Sequence, residues 1–102
     1  MSLELDYGGG VFCDLQETGC YLRKRNPELS VRFTQAAQAT FEFLRANPFL
    51  GRPRPELGVE GMRSWPVKGF GRYLIFYVPT ETELHVLRVM HGTRNLRAEF
   101  DQ

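Results

Sequence analysis

Arg72–Val78, RYLIFYV, and Leu84–Met90, LHVLRVM, are the stretches that decide the fold of this chain. The first is an almost unbroken apolar run and the second is apolar on both parities, as in a strand that is central or covered on both faces. Between them stands the turn segment Pro79–Glu83, PTETE, short enough to join antiparallel neighbours. Upstream, Gly69-Phe70-Gly71 reads as another turn. Before it, Met62–Lys68, MRSWPVK, alternates with Arg63, Trp65 and Val67 on one side. Pro66 removes a ladder donor, so this strand carries a bulge there or runs along an edge. The spacing predicts strands over about 62–67, 72–78 and 84–91, joined as a three-stranded antiparallel meander.

The first half of the chain is helical. Phe12, Leu15 and Leu22 fall near helical spacing, with Val11 and Tyr21 flanking the stripe, which predicts a helix over about 12–25. Arg23-Lys24-Arg25 would close it, cations at the negative end of the helix dipole. Asn26-Pro27-Glu28 then starts a second helix over about 27–46: a cap, a proline at the first helical position and an acid in the first turn. Leu29, Phe33, Ala36, Ala37, Thr40, Phe41 and Leu44 form its stripe, and Asn47-Pro48 ends it. Small Ala36 and Ala37 would let the first helix approach, making an antiparallel hairpin. Phe12, Leu15, Leu22, Phe33 and Leu44 are expected in the core, as are Trp65, Phe76 and Tyr77. Ahead of the hairpin, Leu3, Leu5 and Tyr7 alternate with Glu4 and Asp6 as a short half-buried strand, and Gly8-Gly9-Gly10 reads as a hinge. Pro48–Gly58, PFLGRPRPELG, reads as a stiff extended connector. Neither hairpin nor meander can bury its apolar side alone, so the expectation is one α+β domain over residues 1–102, with both helices on one face of the sheet.

A chain of 102 residues has a thin core, but one adequate without staples. Cys13 and Cys20 lie two helical turns apart, about 10 Å, which exceeds the reach of a disulfide; they are expected as reduced core or boundary residues. Neither histidine, His85 or His91, is near them in sequence, so no metal site is expected. No cofactor motif is present either: Gly8–Gly10 lacks the apolar strand and the Lys-Ser/Thr of a phosphate loop. No apolar run reaches membrane-span length and the start lacks a signal pattern, so the expected location is cytoplasmic. Net charge is +1, with eight Lys/Arg against six Asp/Glu in residues 52–102. That permits contact with a polyanion without indicating one.

The cations cluster in the second half. Arg63, Lys68, Arg72 and Arg88 lie in or beside the sheet, with Arg94 and Arg97 just beyond. Arg88 interrupts an apolar strand, so it must reach solvent, meet a carboxylate or face a groove. Simple parity puts Arg88 on one face with Leu84, Val86 and Met90, and His91 on the other with Leu87 and Val89. Such a pair does not make a catalytic couple. His91 reads as a strand-end residue bonded to backbone.

DLQETGCYLRKRNPE, FLRANPFLGRPRPEL, GMRSWPVKGFGRYLIFYV and LHVLRVMHGTRN, taken in order, resemble the ParE/RelE superfamily of bacterial toxins, on its ParE side, over about residues 11–96. The resemblance implies a short first strand, a helical hairpin and a curved antiparallel meander. YGGG departs from it, since the family usually enters its first helix directly, and little chain remains for a C-terminal helix. The resemblance also implies one half of a type II toxin–antitoxin pair, neutralised by a ParD-like antitoxin, with nucleic acid met only through antitoxin or target. ParE-like members poison DNA gyrase by binding. RelE- and YoeB-like members cut messenger RNA on the ribosome; the positions matching their acid/base set are Glu56, Arg72 and His91, with Arg63 and Arg88 as possible phosphate clamps. The favoured reading is the gyrase inhibitor, with Arg63, Arg72, Arg88, His91, Arg94 and Arg97 facing antitoxin or target. A non-toxic protein-binding module is the remaining alternative.

Overall fold

A computed structural model describes residues 2–100. Helix α1 spans Val11–Arg25 and α2 spans Pro27–Ala46. The break between them is local chemistry. Asn26 is extended, its side chain accepts from the Glu28 N–H at 3.0 Å, and Pro27 opens α2 where no donor is needed. The small residues meeting across the hairpin are Gly19 and Ser30: a Cβ on Gly19 would lie 3.3 Å from Ser30 Oγ. Ala37 is buried in the core cluster that also holds Val11 and Leu22 of α1, with Ala36 packed against it.

The sheet has five strands in the order β1-β5-β4-β3-β2. Strands β3 (Arg63–Val67), β4 (Phe70–Pro79) and β5 (Glu83–His91) form the expected meander. The expected turn moves upstream, because Val67 pairs with Phe70 and Gly69 takes the left-handed φ of 82° in between. The register shifts between Pro66 and Val67, as the proline required. Two pairings close the sheet. β1 (Glu4–Tyr7) runs parallel to β5, so β5 is flanked on both sides and is not an edge strand. Part of the connector, Arg52–Pro53, pairs with β3 as β2, and Pro55–Leu57 forms a 3₁₀ turn. Beyond β5, Leu96–Phe100 makes α3.

The hairpin covers one face, where Phe33, Phe41, Leu44, Ile75, Tyr77 and Val86 are buried. On the other face a smaller cluster, Leu57, Met62, Phe76 and Met90, lies against the 3₁₀ turn and α3.

Three expectations need correction. Phe12 is 71% exposed, because the buried face of α1 runs through Val11, Asp14, Gly19 and Leu22, about one residue out of phase with the expected stripe. Cys13 and Cys20, free as expected, are exposed rather than in or at the core for the same reason. Parity in β5 also fails. Phe76 pairs with Arg88 but Tyr77 with Val86, leaving Leu87 as an extra residue. That bulge puts Val89 in the core with Leu84 and Val86, and Leu87 with Met90 on the second face.

Candidate functional site

Arg88 sits at this bulge, just past the point where β1 stops pairing with β5. The uncovered edge there is taken up by α1. Asp14, buried in its first turn, accepts from Arg88 Nε at 2.7 Å, from Arg88 Nη2 at 2.8 Å and from the Val89 N–H at 2.9 Å. A third side chain closes the clamp: Arg88 Nη1 donates to Glu99 Oε1 of α3 at 3.2 Å. Hydrogen bonding to Asp14 outweighs burial and raises the guanidinium pKa above its ordinary value, so Arg88 stays charged. Of the three fates open to a strand arginine, it meets a carboxylate. Gly10 belongs to the same corner, since a Cβ there would stand 3.0 Å from the Arg88 side chain.

Arg63 is also turned inward. Its Nη1 donates to Gly51 O at 2.8 Å and Phe49 O at 3.1 Å, and its guanidinium lies 5.3 Å from the Phe49 ring centre. Tyr77, fully buried, works beside it: its hydroxyl donates to Pro48 O and accepts from the Gly51 N–H, both at 2.9 Å. These two side chains hold the Pro48–Gly51 loop on the sheet.

The nuclease-like set is distributed differently. Glu56 lies in the 3₁₀ turn, and its carboxylate accepts from Arg54 Nε at 2.8 Å. That hydrogen bond holds the carboxyl below its ordinary range, making it a weaker base. Arg97 reaches the same turn through Glu56 O at 3.3 Å. Register puts His91 opposite Tyr73 on the hairpin face, their rings 5.1 Å apart and edge-on, whereas Arg72 points by alternation to the second face. His91 Nδ1 accepts from the Thr93 N–H at 3.2 Å, the backbone bond expected of a strand end. Arg72 and His91 share the rim of a cavity of about 230 Å³ with Gly92 and Thr93, and Glu56 does not line it. Across His91 a second cavity, about 220 Å³, is bordered by Tyr21, Tyr73 and Arg94. Arg94 is paired with Glu17 at 2.7 Å. Arg72 is exposed and joins no ion pair among the described residues. Those residues also hold no cluster of three or more His, Cys, Asp or Glu that could bind a metal ion.

Residues 13–96 match the family model described as the ParE toxin of type II toxin-antitoxin system, parDE. The chain belongs to this family. A solved structure described as the chromosomal ParDE TA system from P. aeruginosa superposes with a TM-score of 0.71 at 20% identity, over 88% of this chain and 96% of that one. At that identity the likeness is one of fold, and it supports the ParE-like order of strand, hairpin and meander. No curated protein matches the sequence. Within this ParE-family toxin, sequence reasoning passed over Asp14 and the hydroxyl of Tyr77, whose ring it had placed in the core. Asp14 becomes recognisable only once the phase of α1 is known: it stands on the buried stripe of α1, and a carboxylate there needs the cation that Arg88 needs in reverse.

Proposed function

We propose that this ParE-family toxin acts in the cytoplasm by binding DNA gyrase, presenting the edge that carries Arg72, His91, Arg94 and Arg97, and that a ParD-like antitoxin neutralises it. Arg63 and Arg88 serve the edge from inside, one fixing the loop before β2 and the other fixing α3. The observation that carries this reading is the separation of Glu56 from the Arg72–His91 rim. Cleavage of RNA needs a base, an acid and a cation converging on one phosphate. Here Glu56 is held by Arg54 in a turn and lines neither cavity that His91 borders, and the carboxylates that do line one of them, Asp14 and Glu17, are taken by Arg88 and Arg94. The depressed pKa of Glu56 suits an ion pair better than proton abstraction. Cations beyond a strand end suit steering and docking on a macromolecular target.

One preparation of toxin decides the matter in two assays, gyrase supercoiling and ribosome-dependent message cleavage. Inhibition of supercoiling, weakened about tenfold or more by Arg72→Ala, is the expected result. Message cleavage abolished by His91→Ala, with supercoiling untouched, would reverse the assignment to the interferase branch.

A further inference from the structure

The charges of this chain are sorted between the two ends of the sheet. Consecutive turns of an antiparallel meander stand at opposite ends, and the ten residues of β4 hold them about 33 Å apart. One end is formed by the β4–β5 turn, beside which β1 pairs with Glu83–Val86. There residues 2–7 and 79–87 carry Glu4, Asp6, Glu81 and Glu83 and no Lys or Arg. At the other end the β3–β4 turn meets the corner between α1 and α2. Phe33 joins them, its ring centre 5.2 Å from those of Phe70 and Tyr73, and Tyr21 shares a cavity with Tyr73. Residues 23–32 and 68–73 carry six cations, Arg23, Lys24, Arg25, Arg32, Lys68 and Arg72, against one acid, Glu28. All six are exposed, and none joins an ion pair among the described residues. The C-terminus of α1 and the N-terminus of α2 adjoin at this corner, so their opposite partial charges largely cancel. The positive excess there belongs to side chains, and the net charge of +1 conceals it.

Unpaired cations gathered at one end suit a polyanion, and the neighbouring side chains narrow its kind. A single nucleic-acid strand is held by bases stacked on free aromatic rings. Here Phe70 and Tyr73 turn onto Phe33, while Arg25 lies 5.9 Å over the Tyr21 ring and donates to its hydroxyl at 3.1 Å. An acidic protein would need a buried apolar anchor. Val31 is the one large apolar side chain exposed among residues 23–32 and 68–73. A duplex needs neither, because its phosphates are met by mobile cations alone. We propose that this basic end binds the phosphate backbone of double-stranded DNA without reading its sequence. About four phosphates are met at once, since Arg23, Lys24 and Arg25 point around the last turn of α1 and cannot all face one duplex. The acidic end is repelled by the same backbone, so the charge separation also orients the approach. The proposal rests on the gyrase reading only for its choice of DNA over double-stranded RNA: a toxin docked by the edge that shares Arg72 would lie against an enzyme that holds DNA.

Fluorescence anisotropy with the full chain and a labelled DNA duplex, repeated over a series of salt concentrations, tests this directly. Affinity should fall about 150-fold between about 50 and 200 mM salt, as when about four phosphates are neutralised. Arg25→Gln and Arg32→Gln replace exposed cations with another good helix former, so the fold is kept. Each should lower the slope of log affinity against log salt by about 0.9. Arg52→Gln is the control of equal charge: Arg52 is exposed on β2 and pairs with Ser64, which lies opposite Phe76, away from the β3–β4 turn. Its slope should match that of wild type. Wild-type slopes for Arg25→Gln and Arg32→Gln, or an equal loss from Arg52→Gln, overturn the basic end. A double-stranded RNA or a single strand bound tenfold more tightly than the DNA duplex overturns the choice of ligand. Supercoiling inhibited by a toxin that binds no DNA at low salt overturns the proposal and leaves the gyrase reading standing. DNA bound as expected with supercoiling untouched overturns the gyrase reading and supports the basic end.

Discussion

The two faces of the sheet are held by different kinds of interaction. On the hairpin face, α2 lays a row of fully buried apolar side chains on β3, β4 and β5, and Phe33 packs edge-on to both Phe70 and Tyr73 with ring centres 5.2 Å apart. On the other face the cover is the 3₁₀ turn and the short α3, and Leu96 and Phe100 are only partly buried. There the fastening is polar: Arg88 and Arg94 both reach Glu99, and Arg97 reaches Glu56 O. Salt screening does not weaken dispersion and apolar burial, whereas it weakens exposed ion pairs. One face is thus held by apolar burial, and the other by a smaller apolar cluster together with ion pairs that salt screens.

Phe33→Ala is the strongest test of the first half of that contrast, with a loss of about 4 kcal/mol in urea unfolding. Phe100→Ala, on the second face, is expected to cost only about 1 kcal/mol because the ring is partly exposed. Equal losses from the two would break the comparison. Arg88→Ala follows at about 3 kcal/mol, since Asp14 would remain buried without its cation. Arg88→Met combined with Asp14→Leu should recover only part of that loss, because Asp14→Leu also orphans the buried Val89 N–H. A smaller loss, about 2 kcal/mol, is expected for Tyr77→Phe, which orphans the buried Gly51 N–H. Its pH signature sharpens the point. Burial raises the Tyr77 pKa above 10.0, so the phenol is neutral in both states below that value. Above it the unfolded chain ionises first, and stability falls as pH rises through the folded pKa. That alkaline loss should be smaller in Tyr77→Phe. The smallest effect belongs to Glu99→Gln, about 0.5 kcal/mol in low salt and near zero at about 1 M salt. A loss that persists in high salt would show that the Glu99 hydrogen bond, rather than screened charge attraction, holds α3.

Much of the architecture was legible because it is written in local chemistry. Asn26-Pro27 set the start of α2, Pro66 announced an irregular strand, and RYLIFYV and LHVLRVM named the buried strands. Their physical causes act over a few residues: a missing N–H, a capping oxygen, an apolar run that needs cover on both faces. The phase of α1 was harder to read, because Phe12 is larger than Val11 and outweighs it in any hydrophobic pattern, while burial follows the direction of Cβ. The register of β5 was unreadable for a related reason. Whether Leu87 bulges depends on pairing with β4, and one extra residue moves Val89 to the opposite face.

The candidate site divides along the same line. Sequence alone determined that cations gather on the last strands and that Arg88 would need a partner. Only the tertiary structure decided which of those cations are committed inside the domain. Arg88 is taken by Asp14 across 74 positions of chain and Arg63 by the carbonyls of Phe49 and Gly51, while Arg72 joins no ion pair among the described residues. The physical reason is that a charge is counted by the residue that carries it, but its availability is set by the solvation and partners that folding brings to it.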